Sequence, residues 1–287
     1  MNNPIKCLGC VVVLFGAAIT AATHASPIVF SGSGTDATTQ FNAFRTAVGG
    51  GSRIAWDGVR LDGTDANPAT SIIDPGKTVS IPVDRFRGAG AIYAAPYAVS
   101  GDGFAGVNPA TAGQFPAFTP GNTFAMFDVT SGKFDDRFIA QSFVLPGTAT
   151  VAGTRGFGAI FADVETAGTS SIEYFGRNVN GDRISLGKFD VPVGQSGEHE
   201  FLGVVFDDAV VADVLLTVGT NALFSFDGTT ITSFGPESLG TGIDLAVTDD
   251  FVFATPQQLR AVPIPSTLLL LAIPALFLMR RYGATAA

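Results

Sequence analysis

The side chains able to do chemistry in this 287-residue chain are mostly carboxylates: 25 Asp and Glu stand against 16 Lys and Arg, two His and two Cys. Calcium takes clustered oxygen ligands, so acidic residues close in sequence are its first candidates. Such pairs occur at Asp135-Asp136, Asp163 with Glu165, Asp207-Asp208 and Asp249-Asp250. Asp249 falls on the apolar face of an alternating tract, with Ile243, Leu245, Val247, Phe251 and Phe253. A carboxylate there is either buried with a partner or displaced by a bulge, and the partner is an arginine, backbone amides or a cation. Asp163, Asp249 and Asp250 are therefore the candidate calcium ligands, Asp163 joining only if its strand end lies adjacent. The acidic stretch Asp62 to Asn67 lacks EF-hand spacing and reads as a turn.

Catalytic patterns are sparse. His199, between Glu198 and Glu200, is the one histidine downstream of residue 25, and no Gly-x-Ser-x-Gly elbow accompanies it. One imidazole cannot build a multi-histidine zinc or iron site. A glycosidase pair could be drawn from Asp163 with Glu165 or Glu173, but so many carboxylates always offer pairs. The expectation is a non-catalytic protein, with a polysaccharide-acting hydrolase as the remaining enzyme class. Carbohydrate binding, with or without calcium, is the other open reading. Sugar platforms use exposed Trp or Tyr, and Tyr93 and Tyr97, in a Gly- and Ala-rich loop, are the candidate ligand residues, ordinary packing being the alternative.

These residues must be carried by an all-β body. From Phe124 onward, period-two alternation dominates in runs near Ile139–Leu145, Phe157–Val164, Ile172–Phe175, Arg183–Val191, Phe201–Phe206, Val210–Val218, Ala222–Phe226, Thr229–Phe234 and Ile243–Ala254. Asn180-Gly181 marks a hairpin between two of them. This spacing predicts a two-sheet β-sandwich, jelly-roll-like, over residues 26–258. Before it, Asp36 caps a short helix ending at Gly49-Gly50-Gly51, Arg53–Val59 is a strand with the only Trp, Trp56, and 61–123 reads as long loops with short strands.

Both ends lie outside this body. Lys6, the apolar Leu8–Ile19 run and small residues to Ala25 read as a secretory signal cleaved after Ala25, with a second register after Ala22; an uncleaved anchor is the alternative. Cys7 and Cys10 leave with it, so the exported protein has no thiol. At the other end, 259–287 reads as a late membrane segment, with a short helix over 266–282. Pro263 and Pro265 precede an uncharged Ser266–Met279 tract, and Arg280-Arg281 place the tail in the cytoplasm. Residues 26–262 keep all 25 acidic groups and 13 basic ones, a net charge of −12. No basic stripe could neutralise phosphates, which excludes nucleic acid as a partner.

Val262, Pro263, Pro265, Ser266, Thr267, the Leu268–Leu271 run and the Arg280-Arg281 pair together resemble the PEP-CTERM sorting signals of Gram-negative bacteria that make extracellular polysaccharide. Ile264 stands where that motif has glutamate. The resemblance implies export, transient anchoring in the inner membrane, cutting near Pro263–Pro265 by an exosortase-like membrane protease, and release to the cell surface or matrix beside extracellular polysaccharide. The body is also similar to domains often found ahead of these signals, through Phe30-Ser31-Gly32, Trp56-Asp57-Gly58, Gly156–Val164, Phe201–Val204 and Asp249-Asp250-Phe251. That likeness implies a β-sandwich without an assigned activity.

Overall fold

Extended, β-branched and aromatic runs dictate most of the architecture. The computed structural model describes residues 26–58, 70–73, 84–93, 97–125, 137–227 and 229–262. In chain order come β1 (Ile28–Ser33), α1 (Thr35–Ala47), β2 (Ser52–Ile54), β3 (Thr70–Ile73), β4 (Ala91–Tyr93), β5 (Tyr97–Ser100) and β6 (Thr123–Ala125). There follow β7 (Phe138–Phe143), β8 (Ala152–Gly153), β9 (Gly156–Ala162), β10 (Ser171–Arg177), β11 (Arg183–Asp190) and β12 (His199–Val205). The last are β13 (Asp213–Thr217), β14 (Phe224–Phe226), β15 (Ile231–Ser233), β16 (Val247–Phe253) and β17 (Gln257–Gln258).

Two antiparallel sheets dominate. One is ordered β1-β12-β9-β16-β6-β5-β3, with β2 also paired to β16; the other is ordered β11-β10-β13-β7-β4. Both feed one apolar core. Phe157, Ala159, Phe161, Leu202, Val204, Phe251 and Phe253 of the first sheet join Tyr93, Ile139, Phe143, Ile172, Tyr174, Val214 and Leu216 of the second. The ring of Phe143 meets Phe253 at 5.3 Å and Phe157 at 6.1 Å between centroids. Strand β9 is buried on both faces, because its other side meets α1 through Ile160, Phe201, Phe41 and Phe44. That explains a continuous apolar run where a half-exposed strand would alternate. Gly203 permits the approach: a Cβ there would stand 2.7 Å from the Phe44 ring.

The Asn180-Gly181 hairpin is found between β10 and β11, with Asn178 Oδ1 accepting the N–H groups of Asn180 at 2.8 Å and Asp182 at 2.9 Å. Helix α1 is present, but Gly34 occupies its N-cap and Asp36 lies within the first turn. The turn Gly49-Gly50-Gly51 ends it, and Gly51, at φ 55, sits where a Cβ would be 2.3 Å from the Phe253 carbonyl. The strand expected over Arg53–Val59 is cut to Ser52–Ile54, since Trp56 turns the backbone to φ 61. The short strands expected within 61–123 are β3, β4 and β5, each a sheet member. Tyr93 and Tyr97 therefore leave the loop assigned to them.

The end of the body is strapped down. Strand β17 pairs with β8, Arg260 donates its N–H to Ala209 O at 3.0 Å, and Val262 donates to Arg177 O at 2.8 Å while packing on the main core. Residues Ala25–Pro263 form one compact unit. Among the described residues no helix is long and apolar enough to cross a membrane. The signal at 1–25, the helix expected over 266–282, and Pro263, Ile264, Pro265, Ser266, Thr267, Arg280 and Arg281 lie outside the described residues, as do Asp62–Asn67 and Asp135-Asp136.

Candidate metal centre

Strand pairing decides which carboxylates meet. Ala162 of β9 pairs with Val247 of β16 and with His199 of β12. Past the strand ends, the Asp163 N–H donates to the Glu198 carbonyl at 3.0 Å and the Thr166 N–H donates to the Asp244 carboxylate at 3.0 Å. Asp163 ends the strand with φ 72, a left-handed conformation that Asp tolerates better than most side chains. Its buried carboxylate is held by the Gly197 N–H at 2.6 Å, the Ser196 hydroxyl at 3.1 Å and the Gln114 amide.

Oxygens of Asp163, Glu165 and Glu237 lie within 4.8 Å of one another. Glu237 comes from the connection between β15 and β16, and its Oε2 accepts the Leu245 N–H at 3.0 Å. Asp244, 1% exposed, accepts from Thr166 N–H at 3.0 Å and the Thr169 hydroxyl at 2.7 Å through Oδ2. Neither oxygen of Glu165, nor Oδ1 of Asp244, meets a donor among the described residues. Burial, then the charges of Asp163, Glu237 and Asp244, push Glu165 up to about 8. Burial likewise raises Glu237 and Asp244. Beside them, Glu200 is fully buried and pushed up to about 9, burial again being the main cause, although it accepts the Val164 N–H at 3.3 Å.

The second acidic cluster is differently equipped. Strand β16 bulges between Thr248 and Phe251, which turns both Asp249 and Asp250 inward, each 0% exposed. Asp250 takes a bidentate fork from Arg53, Nε at 2.8 Å and Nη2 at 2.6 Å. Asp249 Oδ2 accepts the Phe118 N–H at 2.6 Å, and its carbonyl accepts the Trp56 indole at 2.8 Å. Burial, then the neighbouring Asp250, raise Asp249 to about 8. Of the alternatives read for Asp249, the bulge and a backbone amide partner are found, and the arginine goes to Asp250 instead. The structure brings Asp163 to Glu165 and Glu237 rather than to Asp249 and Asp250.

The remaining candidates separate cleanly. Tyr93 and Tyr97 are core residues, 2% and 0% exposed, packed around Trp56, which stacks on Phe124 at 3.9 Å. They offer no ring to a sugar. Glu173 is bound to Ser185 at 2.7 Å on the other sheet and does not join Asp163. His199 opens β12, its Nε2 2.8 Å from Pro116 O. Glu237 and Asp244 escaped sequence reading because each is a lone acidic residue; the one usable signal was acidic residues flanking the ends of two strands that prove to be paired. No family model matches this chain, and comparison with curated proteins and with solved structures finds no match to it either.

Proposed function

We propose that this chain is an exported, non-catalytic module of jelly-roll-like sandwich form, carried across the inner membrane of a Gram-negative bacterium and anchored there transiently through 266–282. An exosortase-like protease acting near Pro263–Pro265 releases it to the cell surface or matrix, where it associates with extracellular polysaccharide. One observation supports this reading. The compact unit runs from Ala25 to Pro263, so its two ends meet the two processing points read independently from the sequence. Cutting there spares the domain. The sandwich form is supported by two antiparallel sheets that share one apolar core.

The burial of Tyr93 and Tyr97 favours structural or adhesive contacts over an aromatic sugar platform. The test is intact mass and cell fraction of the protein from its host, beside a variant carrying Pro263→Ala, Ile264→Ala and Pro265→Ala. A native form lacking both termini and found outside the cell, with the variant held in the inner membrane, is the expected result. Retention of the C-terminal segment by both forms would overturn the sorting reading. Product release from polysaccharide that disappears in Asp163→Asn would overturn the non-catalytic one.

A further inference from the structure

We propose that Asp163, Glu165 and Glu237, with Asp244 beside them, form a calcium site that ties the end of β9 to the connection between β15 and β16. It is independent of how the protein is sorted. The spacing fits: calcium–oxygen distances of about 2.4 Å put ligands on opposite sides of one ion about 4.8 Å apart, and the Asp163, Glu165 and Glu237 oxygens lie within 4.8 Å of one another. A second observation points to a ligand. Asp244 is almost wholly buried and keeps one oxygen without a donor, and both Glu165 oxygens are enclosed and equally unpartnered. Buried carboxylate oxygens normally find donors, and a charge left without one is costly.

The donors already present serve the ligands rather than the gap. Ser196, Gly197 and Gln114 fix Asp163, Thr166 and Thr169 fix the other oxygen of Asp244, and the Leu245 N–H fixes Glu237. This is how ligating carboxylates are oriented by their surroundings. The strongest charges acting on Glu165 are other carboxylates. No arginine of the described residues is among them. An all-oxygen, irregular set suits calcium, which accepts six to eight ligands in flexible geometry, better than magnesium, which demands a near-ideal octahedron.

The test uses the full-length chain in mild detergent, stripped with EDTA and titrated at pH 7 with calcium chloride alone. One saturable site and a rise in melting temperature are expected, with magnesium at least tenfold weaker. Glu165→Gln should lower calcium affinity more than tenfold. Without calcium it should melt no lower than the parent, because the amide fills the same space and adds no charge to the cluster. Glu237→Gln, at a half-buried position, provides the same comparison should the first variant fail to fold. Asp208→Asn, at the exposed acidic pair, should leave the affinity unchanged. No heat and no thermal shift at millimolar calcium would overturn the proposal, as would wild-type affinity in folded Glu165→Gln or loss of affinity in Asp208→Asn.

Discussion

Asp249-Asp250 and the Asp163–Asp244 group are both acidic and both built on strand β16 or its approach, yet the fold brings them different partners. At the bulge, Arg53 reaches from β2 and forks onto Asp250, while the Phe118 N–H binds the Asp249 carboxylate and the Trp56 indole binds the Asp249 backbone carbonyl. At the strand end only uncharged donors arrive, and Glu165 receives none of them. Adjacency of acids in sequence therefore says little about ion binding. What matters is whether a guanidinium is delivered to the same place by the fold.

The comparison can be broken hardest at Arg53. Arg53→Met leaves Asp250 buried beside Asp249 without its counter-charge and should cost about 3 kcal/mol in urea unfolding, at the lower end for a broken buried pair because Arg53 is partly exposed. Adding Asp250→Asn should restore most of that loss, and calcium should restore none of it. At the other cluster, calcium at a hundred times its dissociation constant should add about 2.7 kcal/mol, measured as the shift in urea midpoint on EDTA removal.

pH sharpens the contrast next. Asp249 and Glu200 are raised to about 8 and about 9, chiefly by burial, so between the ordinary carboxylate range and those values the folded chain holds more protons than the unfolded one. Stability in EDTA should therefore fall as pH rises from about 4.5 to 9. A urea midpoint that instead climbs over this window would mean that these groups are charged in the fold. The smallest effects belong to the tyrosines. Tyr93→Phe loses the 2.6 Å bond to Gln141 and should cost about 1 kcal/mol. Tyr97→Phe removes a buried hydroxyl that has no partner among the described residues, and should be neutral or slightly stabilising in the same assay.

Much of the strand set was legible because its signals are local. The Asn180-Gly181 turn, the β9 run and the misplaced carboxylate at Asp249 all announce themselves within a dozen residues. The candidate site was half legible. Asp163 and Glu165 are neighbours in sequence, whereas Glu237 reaches them, and Asp244 reaches the adjoining Thr166 N–H, only across more than 70 residues of chain, which no local pattern encodes. Arg53 was invisible for the same reason, being nearly 200 residues from Asp250. Tyr93 and Tyr97 misled because glycine- and alanine-rich flanks suggest a loop, while short segments need little propensity of their own once neighbouring strands supply the hydrogen bonds.

The strap that closes the body has a consequence for what happens after release. If the protease cuts at Pro263–Pro265, the new carboxyl terminus sits next to Val262, whose N–H is bound to Arg177 and whose side chain rests on the core. Little slack peptide would remain for an exopeptidase to grip, so trimming should stop at the strap and leave a terminus of uniform mass.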